Sequence, residues 1–149
     1  MARLEYRLLD EANQYPVLYY YEQIDKDEVS RRFACDYFVK GHMVYEKTSC
    51  AVEADRYVVY VKRSDQEQAV DYAHTAAPRW GSVRIELREY KEGTTVYPLV
   101  HTYYFKDDDD ALLHLQSDYL YLHGREWEKT STEVDEDRQV YVYYAQPTS

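Results

Sequence analysis

The side chains in this 149-residue chain with the chemistry of nucleophiles, bases or metal ligands are two cysteines, Cys35 and Cys50, and five histidines, His42, His74, His101, His114 and His123. A reactive thiol needs a positioned base or a lowered pKa, and no histidine or acid can be argued for either cysteine from its spacing. Both read as small, half-buried free thiols in a reducing compartment. The histidines form no H-x-H or H-E-x-x-H pair, and no Cys/His spacing suits zinc. His114 and Asp118 stand at i and i+4 on an expected helix and read as a surface pair. Asp107–Asp110 could hold a cation, but the run lacks the glycine and terminal Glu of an EF-hand loop. It reads instead as the solvated start of a helix. There is no G-x-S-x-G, P-loop or G-x-G-x-x-G, and only four glycines are available for phosphate-cradling loops. No catalytic group, cofactor or metal is expected.

One polar tetrapeptide occurs twice, as Glu46-Lys47-Thr48-Ser49 and Glu128-Lys129-Thr130-Ser131. On a strand, Glu46 and Thr48 face one way and Lys47 and Ser49 the other. Tyr45 and Trp127 share the faces of Lys47 and Lys129. The favoured expectation is an edge strand guarded by an inward-leaning lysine and charged neighbours. The alternative is a polar patch that touches a ligand or partner once per copy. With a three-residue hairpin loop, Glu46 would face Lys62 as a cross-strand ion pair, and Tyr144 would take that place in the second copy. The candidate binding residues are Glu46, Lys47, Glu128 and Lys129, with Tyr19, Tyr21 and Tyr103 from neighbouring strands.

The tetrapeptide belongs to a longer repeat. Shifted by 82 positions, Tyr15–Lys62 aligns without a gap on Tyr97–Tyr144, with 15 of 48 positions identical. One residue of slip brings Arg3-Leu4-Glu5-Tyr6-Arg7 over Arg84-Ile85-Glu86-Leu87-Arg88. The match predicts a duplicated unit of roughly 62 residues. Each copy reads as ββαββ, with strands at Leu4–Leu9 and Val83–Tyr90, Val17–Gln23 and Leu99–Phe105, Met43–Val52 and Arg125–Val134, and Arg56–Arg63 and Arg138–Tyr144. Val17–Gln23 is apolar on both sides and expected to be largely covered. Asp25 and Asp107 suit helix N-caps. The helical stripes are Val29, Phe33 and Tyr37, and Ala111, Leu115 and Tyr119, widened by Leu112 and Leu122. Gly41 and Gly124 are expected to end the helices. The fold class is α+β: an antiparallel, Tyr-rich sheet or sheets with two helices on one side, related by a pseudo-twofold. The boundaries are 1–63, 64–82 and 83–149 within one compact domain, and DQEQAVDYAHTAA in the joint could be a short helix.

Composition limits the function. The net charge of -10, spread over both halves, disfavours nucleic acid and anionic membrane surfaces. No apolar run approaches a membrane span or a signal-peptide core, which predicts a cytoplasmic protein. Nineteen tyrosines exceed the needs of a core and suit a protein partner or a flat or cationic ligand. The first expectation is therefore a non-enzymatic, acidic interaction or regulatory protein that binds another protein, a basic partner being the one its charge suits. The second comes from a resemblance. Strand, helix, strand, strand, twice over, resembles the GyrI-like ligand-binding domains built from SHS2 repeats, in element order only. The resemblance implies a small-molecule module with an aromatic cleft between repeats and a buried Glu, and points to Glu46, Glu128 and the second-strand tyrosines.

Overall fold

The computed structural model describes residues 1–65, 67, 69, 79 and 81–148. The first half contains β1 (Ala2–Leu8), β2 (Val17–Ile24), α1 (Lys26–Ala34), β3 (Tyr37–Lys40), β4 (Met43–Val52) and β5 (Tyr57–Arg63). The second contains β6 (Val83–Glu89), β7 (Leu99–Phe105), α2 (Asp108–Gln116), β8 (Tyr119–Leu122), β9 (Arg125–Asp135) and β10 (Val140–Pro147). All ten strands join one sheet in the order β2-β1-β5-β4-β3-β9-β10-β6-β7, with β8 paired to β9 off that path. The class is α+β, as expected. The expected helix in the joint falls almost entirely outside the described residues.

The sheet is mixed rather than antiparallel. β1 pairs parallel with β5, β6 with β10, and β3 with β9. Tight hairpins impose antiparallel pairing, but β1 reaches β5 only after α1 and three strands, and such a long connection permits a parallel neighbour. Each half also has one strand more than ββαββ. The helical stripes predicted from spacing run on through Tyr37, Tyr119 and Leu122, yet the helices stop at Ala34 and Gln116. Cys35 and Ser117 turn extended, and their N–H groups donate to the carbonyls of Arg32 and His114. Beyond them, Tyr-Phe-Val-Lys and Tyr-Leu-Tyr-Leu are aromatic and branched, which favours strand. They pair back through two-residue turns, Gly41-His42 and His123-Gly124, whose φ angles are 60, 60, 52 and 75°. Two left-handed residues in a row make the tight turn that matches strand twist. Gly41 and Gly124 therefore serve hairpins and not helix ends. The N-caps are as expected: Asp25 accepts from the Asp27 N–H, and Asp107 from the N–H groups of Asp109 and Asp110.

The repeated tetrapeptide has an architectural role in both halves. β4 and β9 are interior strands, each flanked on both sides, so the expected edge is absent. The ladder skips one residue at Thr48 and one at Thr130, making a β-bulge in each strand. The Thr48 hydroxyl donates to the Tyr60 carbonyl at 3.0 Å, and the Thr130 hydroxyl to the Tyr144 carbonyl at 3.1 Å. The lysine before each bulge reaches a helix C-terminus: Lys47 Nζ donates to the Phe33 carbonyl at 2.6 Å, and Lys129 Nζ to the Leu115 carbonyl at 3.2 Å. An ammonium there satisfies an orphan carbonyl and meets the negative end of the helix dipole. Glu46 does face Lys62, with 3.5 Å between charges. Glu128 faces Gln146, not Tyr144. Counted from Val52 and Val134, the second hairpin is two residues longer, so β10 is displaced by two against the ungapped alignment.

The core lies between the sheet and the two helices. Leu4, Tyr6, Val59, Val61, Ile85, Leu87 and Tyr143 from the strands meet Val29, Ala111 and Leu115 from the helices, all buried. The outer strands are β2 and β7. The residue pattern predicts Val17–Gln23 to be covered on both faces, but Val17 and Tyr20 are exposed because they pair with Arg7 and Glu5 on the face away from the helices. Lys47→Met and Lys129→Met keep the apolar stems and remove the helix contacts. Each is expected to cost about 1 kcal/mol, and the double variant about the sum, in urea unfolding followed by circular dichroism.

Candidate functional site

The two halves meet where β3 lies parallel to the C-terminal part of β9. The Asp36 N–H donates to the Thr132 carbonyl at 2.9 Å, and the Thr132 N–H donates back to the Asp36 carboxylate at 2.9 Å. The turn after β9 then docks on the first half. Asp137 accepts from the N–H groups of Gly41 and His42 at 2.8 and 2.9 Å. Those two amides converge because both residues are left-handed, and such a concave pair of donors suits a carboxylate. Glu136 accepts from the Tyr21 hydroxyl and from Lys40 Nζ, the latter at 3.1 Å.

A cavity of about 390 Å³ opens beside this docked turn. The first half contributes Tyr21 and, from α1, Glu28, Arg31 and Arg32. The second contributes Ser82–Arg84, Val134–Glu136 and Gln139–Tyr141. Both α1 guanidiniums are buried but paired. Arg31 Nη1 donates to Asp108 at 2.7 Å and Arg31 Nε to the Tyr141 hydroxyl at 3.3 Å. Arg32 Nε donates to Glu28 at 2.9 Å, and its guanidinium lies 4.9 Å from the centre of the Tyr21 ring. Burial opposes the charge on Arg32, but the tyrosines and carboxylates around it hold the pKa above the ordinary arginine value. The cavity wall thus combines aromatic rings with fixed charges of both signs.

The opposite face of the sheet holds charges that spacing alone did not single out. Arg3, Glu5 and Arg7 alternate on β1, and Arg84, Glu86 and Arg88 on β6. Glu5 accepts from Arg3, Arg7 and Arg56, and Glu86 from Arg88 and Arg138. Burial would raise the pKa of Glu5, but its three guanidiniums hold it below the ordinary value. The duplicated R-x-E-x-R is visible in the sequence; its inward direction is not, because alternation on a charged strand does not say which face is covered. Glu133, buried on β9, accepts from the Tyr144 hydroxyl at 3.1 Å. Burial, with the nearby Asp135 charge, pushes its carboxyl up to about 8.

The expected site residues do not converge. Of them, only Tyr21 lines the cavity between the halves. Lys47 and Lys129 are engaged at helix ends. Glu46 lies in a separate depression of about 410 Å³ with Tyr37, Lys62 and Arg63. Tyr19 packs edge-on against Phe38 and Tyr45, and Tyr103 packs on His101 and His114. His114 is not a surface partner of Asp118, because α2 ends before Asp118. Its ring is enclosed by Tyr103, Phe105 and Tyr143, and burial lowers its pKa to about 4. The Cys35 thiol is pushed up to about 12 by burial, and Cys50 is raised by the same cause. Among the described residues no cluster of His, Cys, Asp or Glu could hold a metal, and no helix is long and apolar enough to cross a membrane.

Compared with known proteins, the chain matches no family model, no curated protein and no solved structure. No relative therefore stands behind the GyrI-like element order.

Two buried groups give opposite pH signatures. Glu133 binds its proton more tightly folded than unfolded, so its contribution is full below about pH 4.5 and is lost as pH rises towards 8. His114 binds its proton less tightly folded, so its contribution is present above about pH 6.5 and is lost as pH falls towards 4. Glu133→Gln is expected to flatten the decline in stability between pH 5 and 8 and to gain on the order of 2 kcal/mol at pH 8. Urea midpoints across that range check it; an unchanged slope rejects the assignment.

Proposed function

We propose that this protein is a non-catalytic binding module, a duplicated ββαβββ unit that holds a small molecule in the cavity where its halves meet. The cavity carries the reading. Its volume lies in the usual range for ligand sites, roughly 300–1,000 Å³, and both halves contribute polar groups and tyrosine rings to it. Support for duplication comes from the recurrence of element order, strand pairings, the Thr bulge and the lysine helix contact in both halves. A pseudo-twofold relation would follow from that recurrence. Binding without catalysis fits the thiols, which burial keeps protonated, and His114, which is neutral and enclosed by rings. The acidic surface and the lack of a long apolar helix among the described residues suit a cytoplasmic protein that avoids nucleic acid and membrane.

A second reading, an interaction or regulatory protein with a protein partner, draws on exposed apolar side chains along the sheet. Tyr20, Tyr119 and Tyr121 are each at least half exposed, as large aromatic anchors at interfaces often are before binding. A basic partner would complement the net charge.

The discriminating variant is Ser82→Phe, which fills the cavity and leaves the outer sheet untouched. In a metabolite screen read by thermal shift and ligand-observed NMR, compounds that raise the melting temperature of the unmodified chain are expected to lose at least tenfold in affinity to Ser82→Phe. Hits that bind the variant equally well would remove the cavity from the proposal. A basic protein captured by the unmodified chain, and lost on Tyr119→Ser/Tyr121→Ser but not on Ser82→Phe, would favour the second reading.

A further inference from the structure

The docking of the second half on the first has a counterpart that the chain leaves unmade. Two parts form the contact. One is the β3 hairpin, 37–42. The other is the segment 133–137, which pairs parallel with β3 and sends Asp137 to the Gly41 and His42 amides. Both parts recur at the offset of 82. The β8 hairpin, 119–124, matches the first, and 51–55 matches the second, with Val52 for Val134 and Asp55 for Asp137. His123 and Gly124 are left-handed, as Gly41 and His42 are, and their N–H groups have no acceptor among the described residues.

Exposure records the difference. Val39 and Val134 are each 4% exposed where the pair is made, and their counterparts Tyr121 and Val52 are each 73% exposed. Past Lys47, β4 has a ladder neighbour on one side only, and β8 has β9 alone. The chain does not close the second pair as it closes the first. The turn after β4 is two residues shorter, and Glu53 is held at 3.1 and 3.2 Å by Arg7 of its own half. Glu136 crosses to Tyr21 and Lys40, whereas Ala54 and Leu122 stand at the places of Glu136 and Lys40 and cannot make those bonds. Meanwhile the β3–β9 seam and the Arg31–Asp108 bridge at 2.7 Å set the halves in this relation.

We infer that a second copy of this chain makes the missing pair. β8 of each copy takes segment 51–55 of the other as a parallel neighbour, with Val52 opposite Leu120 and Asp55 on the His123 and Gly124 amides. The contact is separate from the cavity and stands whether or not a ligand fills it. Every copy carries both edges, so one twofold axis makes both contacts and leaves neither edge over. In strand addition the backbone bonds supply affinity and the side chains choose the partner. The choice here is apolar, Val52 and Ala54 against Tyr121 and Leu122, where the contact within the chain is partly ionic. Asp55 gives up an exposed bridge to Arg56, worth little in water, for two fixed amides. The net charge of -10 on each copy opposes association, so salt strengthens the dimer by screening that repulsion.

Sedimentation equilibrium of the full chain in about 0.15 M and about 1 M salt tests this. A monomer–dimer equilibrium is expected, with a Kd below about 1 mM that tightens as salt rises. Val52→Lys and Tyr121→Lys alter exposed side chains and are expected to keep the circular dichroism of the unmodified chain. Each alone should associate about tenfold more weakly or less. Mixed, the two variants should pair more tightly than either pairs with itself, because one of the two contacts then joins an unmodified β8 to an unmodified 51–55. Should either variant fail to fold, the unmodified chain decides: the His123 and Gly124 amide resonances must move with chain concentration, and fixed resonances overturn the inference. No association at about 1 mM, a mixture no tighter than the separate variants, or a dimer that survives Tyr121→Lys overturns it as well. A dimer that survives Val52→Lys and is lost on Tyr121→Lys would mean that β8 pairs with β8, and overturns it too.

Discussion

The structure depends on one seam, the parallel pairing of β3 with the far end of β9. β9 is 11 residues long and accepts two strands along the same flank: β8 against Arg125–Glu128 and β3 against Glu133–Asp135. That arrangement makes one sheet of two halves. It is held where a parallel pair of only three registered residues would be weak, through the reciprocal bonds of Asp36 and Thr132 and the capture of Asp137 by two turn amides. Each of these partners is a backbone group or a short side chain, so little side-chain entropy is lost in fixing them.

The seam is also asymmetric, and the cavity reflects that. β8 pairs with β9 and not with β4. The turn after β9 reaches the first half through Glu136 and Asp137, whereas Glu53, at the corresponding turn, bonds Arg7 within its own half. The cavity to which both halves contribute lies next to the turn that crosses over. The side chains differ as well. Arg31 and Arg32 on α1 correspond to Leu113 and His114 on α2, so the guanidiniums occur once while an enclosed, neutral imidazole takes the other place.

Much of the framework is legible in residue types. N-caps at Asp25 and Asp107 come from local hydrogen bonding, the outer strands from branched and aromatic alternation, and the repeat from identity at a fixed offset. The helix ends are not legible, because Tyr37 and Tyr119 continue a helical period by coincidence; the hairpin that claims them depends on two left-handed residues that sequence marks only by a glycine. The tetrapeptide looks like a contact surface when it is seen as sequence alone. Its lysine and threonine are matched in both halves because each half needs the same bulge and the same capped helix.

Sequence by itself determined four strands and one capped helix in each half, in chain order, and the acidic, glycine-poor character of the chain. These are properties of local propensity and total charge, which need no partner across the fold. Only the tertiary structure decided which strands became parallel, that β4 and β9 lie inside the sheet, and that Glu5 and Glu86 end up buried among guanidiniums. Those outcomes depend on which surfaces meet: a strand gains a parallel neighbour, and a charged strand a covered face, only when segments distant in the chain come together.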